Sequence, residues 1–421
     1  MCQGCTLWHI FLSRRAAPQT QMMKTVGITA EYNPFHNGHV YHINKARELS
    51  GADCAIAVMS GNFTQRGEPA VCSKWERAKA AVTAPGGADL IIELPFAFAC
   101  SRASVFASGA VDMLVKLGAD CISFGCETED PEVLRALANT LVSENAAICE
   151  ARNGFMKDGM SGAKAYELAV SETAGEEAAK LLLEPNNILA LEYLKRIAFW
   201  RGEGVDIEDL PVTRYGSGYS DVDQEGGFAG GGALRAMIKE GRDVSRYMPC
   251  QIAFEDAAAV SDRYIQLLKG TVLRSAPEDI SRICGVGEGL ENSIMREIKT
   301  AQDVDGLVSA LTSKRYTGAT IRRALTNILV GLSWKEADLL TSRMPTAGKL
   351  LAANEAGRRF MRERPDEGFT IVTNMNREEE KLAPLDRQML KLDETAADIY
   401  NLLCRRDIYS SSDRVTSPHI E

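Results

Sequence analysis

From Lys24 onward, short apolar, partly β-branched runs alternate with segments of helical periodicity. That alternation restricts the chain to an α/β architecture with a parallel sheet. Thr25 to Ala30 (TVGITA), Cys54 to Met59 (CAIAVM), Asp89 to Leu94 (DLIIEL) and Cys121 to Phe124 (CISF) are the expected strands. Between the first two, Val40, Ile43, Ala46 and Leu49 recur at threes, and Gly51 stands where a helix would end. Trp75 to Thr83 and Val105 to Leu117 are further helices, the second ending at Gly118. Open sheets of this kind bind ligands at the carboxyl ends of their strands, so the loops after each strand are where function is sought.

Past Asp130 the chain becomes helical and more polar through Gly202, with Glu184-Pro185-Asn186-Asn187 as a helix start. The segment from Tyr215 to Gly232 holds seven glycines and reads as mobile or ligand-facing, and Ala233 to Lys239 restores a short helix. Beyond Pro249 the pattern is almost wholly helical to about Ala353, and the charged tail from Asn354 carries one strand-like piece, Phe369 to Thr373. The expected division is residues 1–22 as an upstream extension outside the fold, 23–245 as the sheet domain and 246–421 as a mainly helical domain with a charged tail. The 11 cysteines are odd in number and scattered, mostly in apolar runs, which fits a reducing cytoplasmic location. Near the start, the apolar patch Leu7 to Leu12 precedes Arg14 and Arg15, the reverse of an export signal, and at six residues it is too short to span a bilayer. No membrane association is expected.

Histidine is scarce, with 5 copies, yet His36, His39 and His42 fall in one seven-residue stretch directly after the first strand. The strand runs into Glu31-Tyr32-Asn33-Pro34-Phe35-His36-Asn37-Gly38-His39 and then into the helix. Three readings fit this stretch. The histidines cap a turn; or they bind zinc; or they stabilise charge on a nucleotide phosphate at a helix N-terminus, where amides, helix dipole and imidazoles converge. Against zinc, a helix places His36 and His42 about 120° apart, a poor tridentate geometry. Placement after the first strand of an α/β sheet favours the nucleotide.

On these residues the chain resembles the HxGH nucleotidylyltransferase superfamily. The longer string Ala30-Glu31-Tyr32-Asn33-Pro34-Phe35-His36-Asn37-Gly38-His39 resembles the bacterial tRNA(Met) cytidine acetate ligases. The likeness continues in Ser60-Gly61-Asn62-Phe63-Thr64-Gln65-Arg66-Gly67-Glu68-Pro69, Ala88-Asp89-Leu90-Ile91-Ile92-Glu93-Leu94-Pro95, Phe124-Gly125-Cys126-Glu127, Pro185-Asn186-Asn187-Ile188-Leu189 and Ser313-Lys314-Arg315-Tyr316-Thr317.

The resemblance implies a Rossmann-like parallel-sheet nucleotidyltransferase domain followed by a mainly helical, tRNA-binding C-terminal domain. It implies a ligase that activates acetate with ATP as acetyl-adenylate, magnesium riding on the phosphates, and then acetylates N4 of the wobble cytidine of elongator tRNA(Met). His36 and His39 would be catalytic. The ATP site would be drawn from Thr29, Ala30, Glu31, Tyr32, Asn33, Pro34, Phe35, His36, Asn37, Gly38, His39, Val40, Tyr41 and His42, with Gly125, Asn186, Asn187, Arg214 and Arg235. Gln65, Arg66 and Lys74 are either ATP or RNA contacts or exposed loop charge. Two places depart from the family pattern. Gly230-Gly231-Gly232-Ala233-Leu234-Arg235 stands where hydroxyl residues precede the arginine, and Arg102-Ala103-Ser104 replaces Ser-Ala-Glu. Loss of the hydroxyls is expected to slow turnover, although amides of a glycine run still bind phosphate.

A net charge of -9 excludes a general nucleic-acid binder but leaves room for one local basic patch. From Leu311 to Val330 there are four cations, Lys314, Arg315, Arg322 and Arg323, with Tyr316 among them and no acid. That stretch is either a tRNA footprint or a solvated helix face. Two other functions remain open on sequence alone. One is a small-molecule nucleotidylyltransferase without RNA; the other is a tRNA-binding protein with impaired catalysis.

Overall fold

The computed structural model describes residues 23–143, 145–213, 222–223, 227–364 and 368–421. The upstream extension, Arg214 and most of the glycine-rich segment therefore lie outside the described residues. Four strands follow the expected positions, β1 (Thr25–Ala30), β2 (Cys54–Ser60), β3 (Leu90–Leu94) and β4 (Cys121–Cys126), and a fifth that the sequence reading did not anticipate, β5 (Glu208–Thr213), joins them. They pair in parallel in the order β3-β2-β1-β4-β5. The order reverses between β1 and β4, which opens a crevice at the carboxyl ends of those two strands. A short hairpin, β6 (Val222–Asp223) and β7 (Phe228–Ala229), stands apart from this sheet.

Helices α1 (Asn37–Ser50) and α2 (Lys74–Thr83) pack on one face of the sheet through Ile43, Ala46, Ala78 and Ala81, over Val26, Ile28 and Met59. After the short α3 (Phe96–Ala99), α4 (Ala103–Leu117) covers the other face. A helical group, α5 (Pro131–Ser143), α6 (Asn145–Lys157), α7 (Gly162–Ala174), α8 (Glu176–Lys180) and α9 (Pro185–Gly202), joins it there. Alternation along β2 explains the split: Ile56 and Val58 face α4, whereas Ala55, Ala57 and Met59 face α1 and α2. Next, α10 (Gly231–Lys239) leads to the helical region, α11 (Ala257–Leu273), α12 (Pro277–Ser281), α13 (Leu290–Glu297), α14 (Val304–Leu311), α15 (Gly318–Val330) and α16 (Trp334–Thr341).

The helical reading to Ala353 is corrected at its end. Ala347–Ala353 is a fully buried strand, β8, antiparallel to β3 and flanked by β9 (Thr370–Val372) and β10 (His419–Ile420). A buried run of Ala, Gly and Leu has no period by which to tell strand from helix. After β8 come α17 (Glu355–Glu363), α18 (Met375–Glu378) and α19 (Pro384–Leu403). The chain thus returns from the helical region to the sheet, and α19 buries Tyr400 and Leu403 in the helical core.

The two regions share that core. Phe63, from the loop after β2, and Phe96, from α3, pack with Leu268, Ile321 and Leu325 of the helical region. The β2 loop is held so closely that a side chain at Gly67 (φ 77°) would come within 2.4 Å of the Arg323 backbone nitrogen. Thr326 donates to the Gly67 carbonyl (2.8 Å) and Tyr400 to the Ala70 carbonyl (2.9 Å).

Candidate active site

The loop from Glu31 to His36 crosses the crevice. Tyr32 adopts a left-handed backbone (φ 48°), a conformation that costs a non-glycine residue about 1–3 kcal/mol. Its buried ring is held edge-on against Phe35 and His39, both centroids at 4.9 Å, and the Asn33-Pro34 bond is cis. Asn33 Oδ1 accepts from the Val71 amide (2.9 Å), which pins the loop to the segment before α2.

His36 is the N-cap of α1. Its Nδ1 accepts from the Gly38 amide (3.1 Å), and His39 Nδ1 accepts from the His36 amide (3.2 Å). An imidazole nitrogen that accepts carries no hydrogen, so each neutral ring carries its proton on Nε2 and presents it as a donor. The two rings stack with centroids 3.8 Å apart. The capping role and a donor role are therefore compatible, since the nitrogen that serves the fold is Nδ1 in each ring. Gly38 has a reason other than close approach of a ligand: a Cβ there would lie 2.9 Å from His36 Cε1, so only glycine leaves room for the imidazole over its own amide.

The expectation that α1's own amides converge on a ligand is corrected by the same contacts. The Gly38 amide is taken by His36 Nδ1, and the His39 amide bonds the His36 carbonyl (2.8 Å). α10 starts at Gly230, a residue with no side chain to cap it, and among the described residues no side chain caps its first amides. A Cβ built on Gly231 would lie 3.8 Å from His36 Nε2 and 3.7 Å from the Asn33 carbonyl oxygen, so the start of α10 faces His36 and the loop before it. Arg235 joins the two, its Nη1 donating to the Asn33 carbonyl (2.9 Å). Asn37 Nδ2 adds bonds to the carbonyls of Gly227 (3.0 Å) and Arg246 (3.2 Å), and Tyr41 meets Phe228 edge-on.

Around this centre the other expected residues take supporting places. Thr29 hydrogen-bonds Tyr193 of α9, a phenol whose pKa is raised by burial despite that bond. Ala30 is buried at the end of β1, and Val40 packs against the α1 core. His42 Nε2 lies 2.9 Å from Ser123 Oγ, bridging α1 to β4 below Gly125. Gly125, half-buried, pairs in register with Val212.

Asn186 donates to the Glu127 carboxylate and Asn187 Oδ1 accepts from the Glu127 amide (2.9 Å). Asn187 is 2% exposed, and its oxygen, engaged by the Glu127 amide, positions the segment after β4.

Two residues behind the loops carry more structure than their sequence suggested. Lys74 is not exposed loop charge: at 0% exposure, its Nζ bonds both Glu93 oxygens (2.7 and 2.8 Å) and Asp413 Oδ2 (2.6 Å). Lys349 of β8 also pairs with Asp413, and although burial pulls Lys349 down, Asp413 and Glu93 hold its pKa above the ordinary lysine value. Asp393, in the same buried group, is pushed up to about 8 by burial and then by Glu93, and it accepts from the Phe96 amide (2.6 Å).

Arg77, fully buried, was missed altogether. Its guanidinium donates to the carbonyls of Glu31, Ser60 (3.3 Å), Gly61 and Cys72 (3.3 Å), and so fixes the carboxyl ends of β1 and β2. Its only sequence signal is a cation in the alanine-rich interior of α2.

The four cations around α15 separate into unlike surroundings, which corrects the expectation of one acid-free stripe. Arg322 pairs with Asp305 (2.8 Å) and Glu68 (3.3 Å), acids distant in sequence. Arg315 pairs with Glu288 (2.7 Å) while Lys314 is exposed beside it, and Tyr316 donates to the Gly287 carbonyl (2.6 Å). These last three line a groove with Arg296 and Ser313. Arg323 faces the other way, toward Gln65.

Known proteins resemble this chain over most of its length. The HIGH Nucleotidyl Transferase family matches residues 23–414. A tRNA(Met) cytidine acetate ligase of Thermoanaerobacter sp. (strain X514) is 37% identical over 400 residues, covering 90% of this chain and 95% of that protein. The apo crystal structure of Thermotoga maritima TmcAL superposes with a TM-score of 0.83 at 28% identity, covering 94% of this chain and 99% of that one. The same protein bound with alpha-thio ATP gives 0.82 with the same coverage. On this evidence the chain belongs to the tRNA(Met) cytidine acetate ligase family of HIGH nucleotidyl transferases.

Proposed function

We propose that this protein is a cytoplasmic ATP-dependent ligase that makes acetyl-adenylate and transfers the acetyl group to N4 of the wobble cytidine in elongator tRNA(Met). One observation carries the reading: His36, stacked on His39 and with its hydrogen on Nε2, stands opposite the start of α10 at the mouth of the β1/β4 crevice. Fixed donors of this kind stabilise charge developing on an α-phosphate without reorganising, an effect worth about 3–4 kcal/mol per donor in enzymes. An acetate oxygen attacks the α-phosphorus, and the bond to the bridging oxygen breaks to release pyrophosphate. The N4 amine then attacks the acetyl carbon, AMP leaves, and the amine loses a proton. Gly125 and Asn186, with Asn187 behind them, would frame the adenosine, Arg235 the phosphates, and Lys314, Arg315 and Tyr316 the RNA.

Magnesium would arrive on the triphosphate and lower its charge. Magnesium bound this way is held mainly by phosphate oxygens and water.

The test is purified protein with ATP, acetate and tRNA(Met), followed by mass spectrometry of nucleosides. N4-acetylcytidine that depends on both ATP and acetate is the expected result. Consumption of ATP with some other acid, indifferent to tRNA, would mean a small-molecule nucleotidylyltransferase; tRNA affinity without ATP consumption would mean a binding protein.

A further inference from the structure

Arg322 and Arg323 are neighbours on α15, yet among the described residues acids pair with Arg322 alone. The described contacts of Arg323 are to the Gln65 carbonyl and Thr320 Oγ1, both 3.4 Å, at the long end for N–H···O bonds, and no carboxylate lies within ion-pair distance among the described residues. A half-buried guanidinium left this way is costly unless an anion completes it. A second such cation lies across the junction. Arg102 is exposed at the N-cap of α4, and its described contact is Nε to Ser104 Oγ (3.2 Å). Gln65 joins the two sides: its Nε2 donates to the carbonyl of Ser101, next to Arg102, while its own carbonyl accepts from Arg323. Burial lowers the pKa of Arg323, and the Arg102 charge pushes in the same direction. Two like charges gathered at a seam, neither ion-paired to an acid among the described residues, suit an anion. The nearest carboxylate on the catalytic loop, Glu31, is engaged by the Gln65 amide (2.6 Å).

We propose that Arg102 and Arg323 form a clamp for one phosphodiester of the RNA substrate, at the seam between the sheet and α15 and one residue removed from the catalytic loop. A phosphate there accepts from both guanidinium groups, fixing the strand's register beside the reacting cytidine without reading sequence. The arginine at position 102, a departure from the family pattern, thereby acquires a role. The proposal rests on the RNA-modifying reading above.

Binding of tRNA(Met) is measured by fluorescence anisotropy across a salt series, for wild type, Arg102→Glu and Arg102→Lys. Arg102 is exposed, so neither change disturbs a core. The charge reversal is expected to weaken binding about tenfold and to lower the slope of log Kd against log salt by about one, while Arg102→Lys keeps most of that slope. Arg323→Ala, accepted only if its melting temperature matches wild type, should give the same loss. Unchanged affinity and slope in Arg102→Glu overturns the clamp. So does a raised KM for ATP in pyrophosphate exchange with RNA binding intact, because the anion would then be the triphosphate. If wild type binds no tRNA at any salt, the RNA reading itself falls, and the clamp with it.

Discussion

Two helices begin at the same crevice by opposite means. α1 is capped by His36, and its early amides are occupied by that cap, so what it offers a ligand is imidazole Nε2–H. α10 begins at a bare glycine run, and what it offers is backbone amide. The difference shows how one site can lose hydroxyl donors and keep its charge. At α1 the side chains are specialised and the backbone is shielded; at α10 there is no side chain, and one placed on Gly231 would put its Cβ 3.8 Å from His36 Nε2.

The largest effect is expected from Arg77→Met, which takes away the frame on which α1 begins and leaves α10 in place. Four buried carbonyls lose their donor. Chemical denaturation should register a loss of at least about 3 kcal/mol. Equal stability to wild type would mean the carbonyls find other partners and the frame is dispensable.

Next in size is the pair His36→Ala and His36→Asn, which separates the two jobs of one ring. Asparagine is a strong N-cap, so His36→Asn should melt with wild type, whereas His36→Ala should lose about 1 kcal/mol. Both are expected to lower the rate of acid activation by about 10²–10³.

At α10, Gly231→Val should raise the ATP KM several-fold by filling the space in front of His36 and Arg235, while Gly231→Ser should stay within a few-fold of wild type. Equal behaviour of the two would show that the start of α10 does not face the ligand.

The smallest effect concerns stability against pH, and it sets the buried charge group apart from both helix starts. Asp393 binds its proton more tightly folded than unfolded, with a pKa of about 8. Its contribution is thus complete below the ordinary carboxylate range and is lost as pH rises through about 8. Asp393→Asn should flatten that part of the pH profile in thermal melts; an unaltered profile would assign the dependence to other groups.

Four of the five parallel strands of the crevice sheet and α1 were legible because their periods are clear and glycine or proline stands near their ends, whereas β5 was not read as a strand. The histidine loop was legible because three scarce residues sit in one turn. β8 was not, since a buried run of Ala, Gly and Leu is compatible with either period. Lys74, Arg77 and the separation of Arg322 from Arg323 were hidden for another reason. Their partners, Asp413, the Ser60 carbonyl, Glu68 and Gln65, lie in distant segments that only the packed fold brings together. A charge looks solvated in sequence until its neighbours are known.

The central claim is that the two helix starts form one phosphate site with His36 as a donor. It is tested most directly by acetate-dependent ATP–pyrophosphate exchange in the absence of RNA, comparing wild type with His36→Asn. Exchange that requires acetate in wild type and falls at least about a hundredfold in His36→Asn, at equal melting temperature, is the expected result. Exchange that survives in His36→Asn would reduce the histidine to a helix cap and contradict the claim.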